Sequence, residues 1–189
     1  MGNLSVIAGK VGGFNLKSVP GGITRPVMAV VKESVFNIVA PYVINSSWLD
    51  LFGGTGSVGI EALSRGASFV RFVDIHSAAI KTIHANLGHT GLSAQAEVWH
   101  TDAFRMLEKE PDRKFDFIYI APPQYHELWS ASLEKIQENI GWCWEDTWVI
   151  VQIDPVEYQP LGLNRLKLFD RREYGSTELL FYLPIFAED

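Results

Sequence analysis

Cysteine is almost absent from this chain. Cys143 stands alone among 189 residues, so no internal disulfide forms and no cysteine-based zinc site can be assembled. It reads as a buried structural thiol. Long apolar runs are missing as well: none approaches the roughly 18 residues of a membrane span. The opening MGNLSVIAGK lacks the charged flank and apolar stretch of a secretory signal, and Gly2 alone is a weak myristoylation signal beside the strand-like Val6 and Ile7. Positive charge is scarce. Sixteen Lys and Arg face 22 Asp and Glu, a net charge of −6. That argues mildly against a protein gripping nucleic acid over a broad surface, and does not exclude one with a local basic patch. There are no repeats and no low-complexity linker. These absences point to a cytoplasmic, membrane-free, metal-free protein, expected to be a monomer.

What is present is a globular composition, 47% apolar and 20% charged. The length suits one domain with a full core. The expected organisation is a single domain over 1–189, with residues 1–44 as a small N-terminal extension. That extension holds two short strands, 4–8 and 13–17, around GKVGG, then a helix begun by Pro26 and ended by Pro41. From Ser47 onward strands and helices alternate. Strand SWLDLF leads to helix 57–65, stopped by Gly66. Strand 69–74 leads to helix 77–87, strand 96–100 to helix 102–109, and strand 115–121 to helix 127–139. Strand 147–153 follows. Such alternation means βαβ units, a parallel sheet and right-handed crossovers. The tail breaks the pattern: LNRLKLFD and TELLFYLPI, joined by RREYGS, leave no room for a helix and predict an antiparallel pair. The fold expected is an open α/β sheet, mostly parallel, with one antiparallel C-terminal strand.

The richest stretch is LDLFGGTGSVGIEALSRG. Gly54, Gly56 and Gly59 fit G-x-G-x-x-G between a strand and a helix, and Asp74 ends the next strand about 20 residues beyond Gly54. The glycines let backbone approach a ligand, and the acid can accept hydrogen bonds from a ribose diol. An adenosine-type cofactor follows. Asp50, four residues before Gly54, narrows the choice. A carboxylate beside a pyrophosphate would be repelled, whereas S-adenosylmethionine carries an ammonium and a sulfonium and no phosphate. Asp102, after the third strand, is placed to touch an adenine amino group, to cap the next helix, or both.

The stretches TRPVMAVVKESVFNIVAPYV, LDLFGGTGSVGIEALSRGA, FDFIYIAPPQY and REYGSTELLFY run in order over nearly the whole chain. Together they resemble the RsmD-type methyltransferases, which methylate the exocyclic amine, N2, of a guanine in small-subunit (16S) ribosomal RNA. The most specific part is R-P-x(5)-K-E-x-V-F-N followed by L-D-L-F-G-G-T-G. The resemblance implies a class I S-adenosylmethionine-dependent methyltransferase fold, Rossmann-like, with small-subunit rRNA or the assembling 30S particle as partner. It implies cofactor contacts from Asp50, Phe52, Gly54, Gly56, Asp74, Ile75, Asp102, Ala103 and Ala121. It implies a catalytic corner at Pro122, Pro123, Gln124 and Tyr125.

That corner departs from the family's Asp/Asn-Pro-Pro-aromatic motif. Ala121 has no side-chain acceptor, and the aromatic stands one place later. Three readings follow. In the first the enzyme is active: a backbone carbonyl near Pro122 and the Gln124 amide oxygen accept the two amine hydrogens, and Tyr125 stacks on an extruded base. In the second the chain keeps the cofactor but has lost catalysis and works as a binding protein. In the third the substrate differs. An NAD-dependent oxidoreductase is the remaining rival. The family's N-terminal arginine cluster is also missing, which leaves Lys10, Lys17, Arg25, Lys32, Arg171 and Arg172 as RNA-binding candidates. Trp142, Trp144 and Trp148 are expected to pack against the sheet.

Overall fold

Residues 4–22, 29–124 and 127–186 are described by a computed structural model. Internal contacts divide the chain into two units, Met1–Asp102 and Ala103–Asp189.

The first unit opens with an antiparallel arm. Val6 N–H donates to the Phe14 carbonyl at 2.9 Å, Gly13 N–H to Val6 at 2.8 Å, and Leu16 N–H to Leu4 at 2.7 Å. The expected strands 4–8 and 13–17 meet only as an isolated bridge, Ser5 to Asn15. Helix α1 (Ala29–Val39) buries Val31, Val35, Phe36 and Val39, and Pro41 falls in the 3-10 turn Ala40–Tyr42 that ends it. Its predicted start at Pro26 lies outside the described residues. Then follow β1 (Ser47–Asp50), α2 (Ser57–Ser64), β2 (Phe69–Asp74), α3 (Ser77–Thr90) and β3 (Ala96–His100). β2 pairs parallel with both β1 and β3. Asp50 and Asp74 therefore end neighbouring parallel strands, the edge at which open α/β sheets bind ligands. Every residue of α2 is buried.

The second unit contains α4 (Ala103–Leu107), β4 (Phe115–Ile120), α5 (Leu128–Glu138), β5 (Cys143–Ile153), β6 (Leu166–Tyr174) and β7 (Thr177–Pro184). β4 and β5 are parallel, while β7 runs antiparallel to both β5 and β6. β7 is thus the one reversed strand that the C-terminal pattern predicted. β5 starts earlier than residue 147 because its pairing with β4 is interrupted: Phe115 faces Cys143, but Phe117 faces Trp148. Thr147 holds the slack by donating its hydroxyl to the Phe115 carbonyl and accepting from Trp144 N–H at 2.7 Å. Trp142 is fully buried and Trp148 half-buried, as packing against the sheet requires, but Trp144 is exposed. Cys143 is buried, which pushes its thiol up to about 12. No helix among the described residues is long and apolar enough to cross a membrane.

Candidate active site

The turn after β1 is built by residues that L side chains cannot easily replace. Gly54 has φ 54° and Gly56 φ 78°, both left-handed. Gly56 is the N-cap of α2 and donates its N–H to the Gly53 carbonyl at 2.7 Å, while Gly53 N–H donates to Val73 at 2.8 Å. The third glycine serves packing. A Cβ on Gly59 would lie 2.3 Å from the Phe72 ring and 2.7 Å from Val70. The sequence pattern thus has two physical causes: backbone conformation at Gly54 and Gly56, and helix-to-strand contact at Gly59.

Two carboxylates lean on this turn. Asp74 is buried at the end of β2. Its Oδ2 accepts from Gly54 N–H at 2.9 Å and its Oδ1 from His76 N–H at 2.8 Å. One lone pair on each oxygen is thereby used and another is left, which suits a ribose diol. Asp50 is buried at the end of β1, and its Oδ2 accepts from Gly59 N–H at 3.3 Å. Burial pushes its carboxyl up to about 7; the Gly59 N–H opposes this, and the Asp74 charge adds to it. A positive ligand would relieve both acids, whereas a pyrophosphate would add to the repulsion. Ile75, beside Asp74, is 55% exposed, an apolar side chain in solvent where a base could cover it. Phe52 and Gly54 are half-buried, Asp102 is half-buried immediately before α4, and Ala103 is buried as the first residue of α4. Within the first unit, Asp50, Asp74 and the exposed Ile75 fit an adenosine ligand that brings positive charge.

In the second unit β4 ends at Ile120, and the corner follows at once. Ala121, Pro122 and Gln124 are half-buried and Pro123 is exposed. Proline fixes φ at both central positions, so the carbonyl directions are set before any ligand arrives. Tyr125 lies outside the described residues. α5 then begins after Glu127, which is itself left-handed at φ 54°.

The cations expected to meet RNA divide into distinct groups. Lys10 and Lys17 are exposed on the N-terminal arm. Arg25 lies outside the described residues. Lys32 corrects the expectation: it is 1% exposed, with its ammonium 3.2 Å from Glu61 and donating to the Ser5 carbonyl at 2.7 Å. Burial holds its pKa below the usual lysine range. It braces the arm and has no access to a phosphate. Arg171 and Arg172 reach solvent, but their charges are answered at home. Arg171 pairs with Glu178 and lies 3.7 Å over the Tyr158 ring; Arg172 donates to Asp170 at 2.8 Å.

Two buried polar residues fasten the N-terminal arm, and one of them, Asn86, also holds the turn. Glu61, fully buried in α2, accepts from the N–H groups of Ile7 and Ala8 at 2.7 and 3.0 Å and from Arg65 at 2.8 Å. Its signal was visible: a lone charge inside the apolar run SVGIEAL. Asn86, fully buried in α3, donates to the carbonyls of Thr55 at 2.9 Å and Lys17 at 3.0 Å and accepts from Lys17 N–H at 2.8 Å. It ties the glycine turn to the arm, and nothing in its local sequence announces this.

Comparison with known proteins agrees with this geometry. A family model described as conserved hypothetical protein 95 matches residues 4–183. The chain is similar to YlbH of Bacillus subtilis (strain 168), whose name gives it provisionally as an rRNA methyltransferase: 36% identity over 95% of this chain and 98% of that protein. It is similar to ribosomal RNA small subunit methyltransferase D of Haemophilus influenzae, with 32% identity over 81% of this chain and 80% of that one. Among solved structures, yhhF of Escherichia coli, titled provisionally as a methyltransferase, superposes with a TM-score of 0.85 at 24% identity, covering 97% of this chain and 98% of that one. This last likeness shows the class I α/β fold.

Proposed function

The chain belongs to the RsmD-type methyltransferase family, and from that premise we propose that it methylates the exocyclic N2 of a guanine in small-subunit rRNA, with S-adenosylmethionine as donor. One observation carries the choice of donor: two buried carboxylates, Asp50 and Asp74, lean on the glycine turn, with Asp50 raised to about 7. This favours a cationic donor over a nicotinamide dinucleotide.

The donor supplies a methyl group on a positively charged sulfur. Asp74 would take the ribose hydroxyls on its remaining lone pairs, Ile75 and Phe52 would flank the adenine, and Asp102 and Ala103 would border it. Asp50 would face the positive end. Gly54 and Gly56 let the backbone come close. The acceptor is harder chemistry, because the lone pair of a guanine amine is delocalised into the ring. A carbonyl near Pro122 and the Gln124 amide oxygen each accept one amine hydrogen and concentrate electron density on nitrogen. With the donor bound, this amine nitrogen would accept its methyl group, and the proton released would go to water. The family resemblance gives Tyr125 the role of stacking on the extruded base. Positioning and electrostatic complementarity supply most of the rate.

Ala121 favours one second reading: with no side-chain acceptor at that position, the chain binds donor and RNA but transfers little. One experiment separates the two. Labelled methyl donor is incubated with the protein and small-subunit rRNA, naked or in particles, and the RNA is digested to nucleosides. Label in N2-methylguanosine is the expected result. Label in another nucleoside overturns the acceptor assignment, and binding of donor and RNA without transfer establishes the second reading.

A further inference from the structure

We propose that the N-terminal arm and the outer face of α3 form one RNA-docking surface, on which Lys10, Lys17 and Lys81 meet phosphates and Phe14 stacks on an unpaired base. The proposal rests on the RNA substrate of the reading above and adds where the strand runs. α3 buries Thr82, Ile83, Asn86 and Leu87 and turns Lys81, His84, Gly88 and His89 to solvent. The arm is fastened to this helix by the Lys17–Asn86 hydrogen bonds and by Phe14, whose ring centroid lies 5.4 Å from that of His89. Phe14 nonetheless stays 41% exposed. Neither residues 4–22 nor residues 75–95 contain an Asp or a Glu, although the chain as a whole carries six more negative than positive charges. C-terminal to residue 95 the first acid is Glu97, which is held by Arg71 at 2.8 Å.

An acid-free, lysine- and histidine-bearing face with an aromatic ring in solvent is complementary to an RNA strand. Cations answer the phosphates, and a ring offers a base a stacking partner. The contrast with Arg171 and Arg172 is direct, because those cations are already neutralised within their own hairpin. An acidic protein partner would use the charge but not the ring, and that difference is built into the test.

Binding of a small-subunit rRNA fragment is followed by fluorescence anisotropy across a salt series, alongside S-adenosylhomocysteine affinity and the thermal midpoint. Lys81→Glu should weaken RNA binding about ten-fold and flatten the slope of log affinity against log salt by about one. Phe14→Ala should weaken binding by a similar factor, about ten-fold, while leaving that slope unchanged. Lys167→Glu on β6, the same charge change at an exposed site of the other unit, should have little effect. Gly88→Lys adds a cation where a Cβ meets nothing within 4 Å and should tighten binding, a gain that misfolding cannot mimic. S-adenosylhomocysteine affinity and midpoint should stay as in the parent for Lys81→Glu and Phe14→Ala. RNA affinity unchanged in Lys81→Glu, an equal loss in Lys167→Glu, or a charge effect with none from Phe14 overturns the surface, as does a parent chain that binds no rRNA. These results are independent of the acceptor atom. Methyl on guanine N2 with unaffected variants removes the surface and leaves the function; weakened variants with methyl on another atom do the reverse.

Discussion

The glycine turn of the first unit and the proline corner of the second are both short loops at strand ends, but they are built differently. Gly53, Thr55 and Gly56 are buried, and the turn is tied down through Asp74, Asn86 and neighbouring backbone. At the corner Ala121, Pro122 and Gln124 are half-buried and Pro123 is exposed. The turn is tied down by hydrogen bonds of the fold, and at the corner the two prolines add covalent stiffness. A holding site and a reacting site differ in this way, and substitutions should separate them.

The largest expected effect is at Gly59. A methyl group there has no room against the Phe72 ring, so Gly59→Ala should cost about 3 kcal/mol of stability, read as a lower denaturation midpoint. A negligible change would show that the ring can swing aside. Next is Asp74. Asp74→Asn keeps one acceptor for the backbone but loses the charge, and should weaken S-adenosylhomocysteine binding about a hundred-fold through poorer bonds to the diol. Unchanged affinity in calorimetry would remove Asp74 from the site.

The corner should behave in the opposite sense. Gln124→Ala is expected to lower kcat about ten-fold or more with cofactor affinity unchanged. A variant with parental kcat would end the idea that Gln124 supplies the acceptor missing at Ala121. The smallest effect concerns pH. Asp50 has a raised folded pKa of about 7, so its stabilising contribution is present at low pH and fades as pH rises through about 7. A cationic ligand has the opposite preference, because it needs the ionised form. Affinity for S-adenosylmethionine should therefore climb toward a plateau above about pH 7, by up to about ten-fold per pH unit below it. Asp50→Asn should flatten both profiles, and a persisting slope would assign the titration to another group.

The turn was legible in the sequence because its demands are local. Left-handed backbone at Gly54 and Gly56 and a strand-ending Asp74 leave marks at fixed spacing. The reversed strand β7 was legible because the gap before it is too short for a helix. Glu61 was visible as a lone charge in an apolar run, but neither its partners nor the tie of Asn86 could be read, since those partners lie more than 30 residues away in the chain. Lys32 misled for the same reason: its charge looks solvent-bound until Glu61 is brought beside it. Arg171 and Arg172 show the converse, cations that reach solvent yet whose acids fold onto them. β5 began early because a bulge, held by Thr147, has no hydrophobic periodicity of its own.

The central claim is that the glycine turn with its two acids holds a positively charged adenosine donor. Isothermal titration of the unmodified protein tests it most directly. S-adenosylmethionine should bind once per chain, and NAD should give no binding heat under the same conditions. Absent binding of the first ligand, or comparable binding of the second, would contradict it.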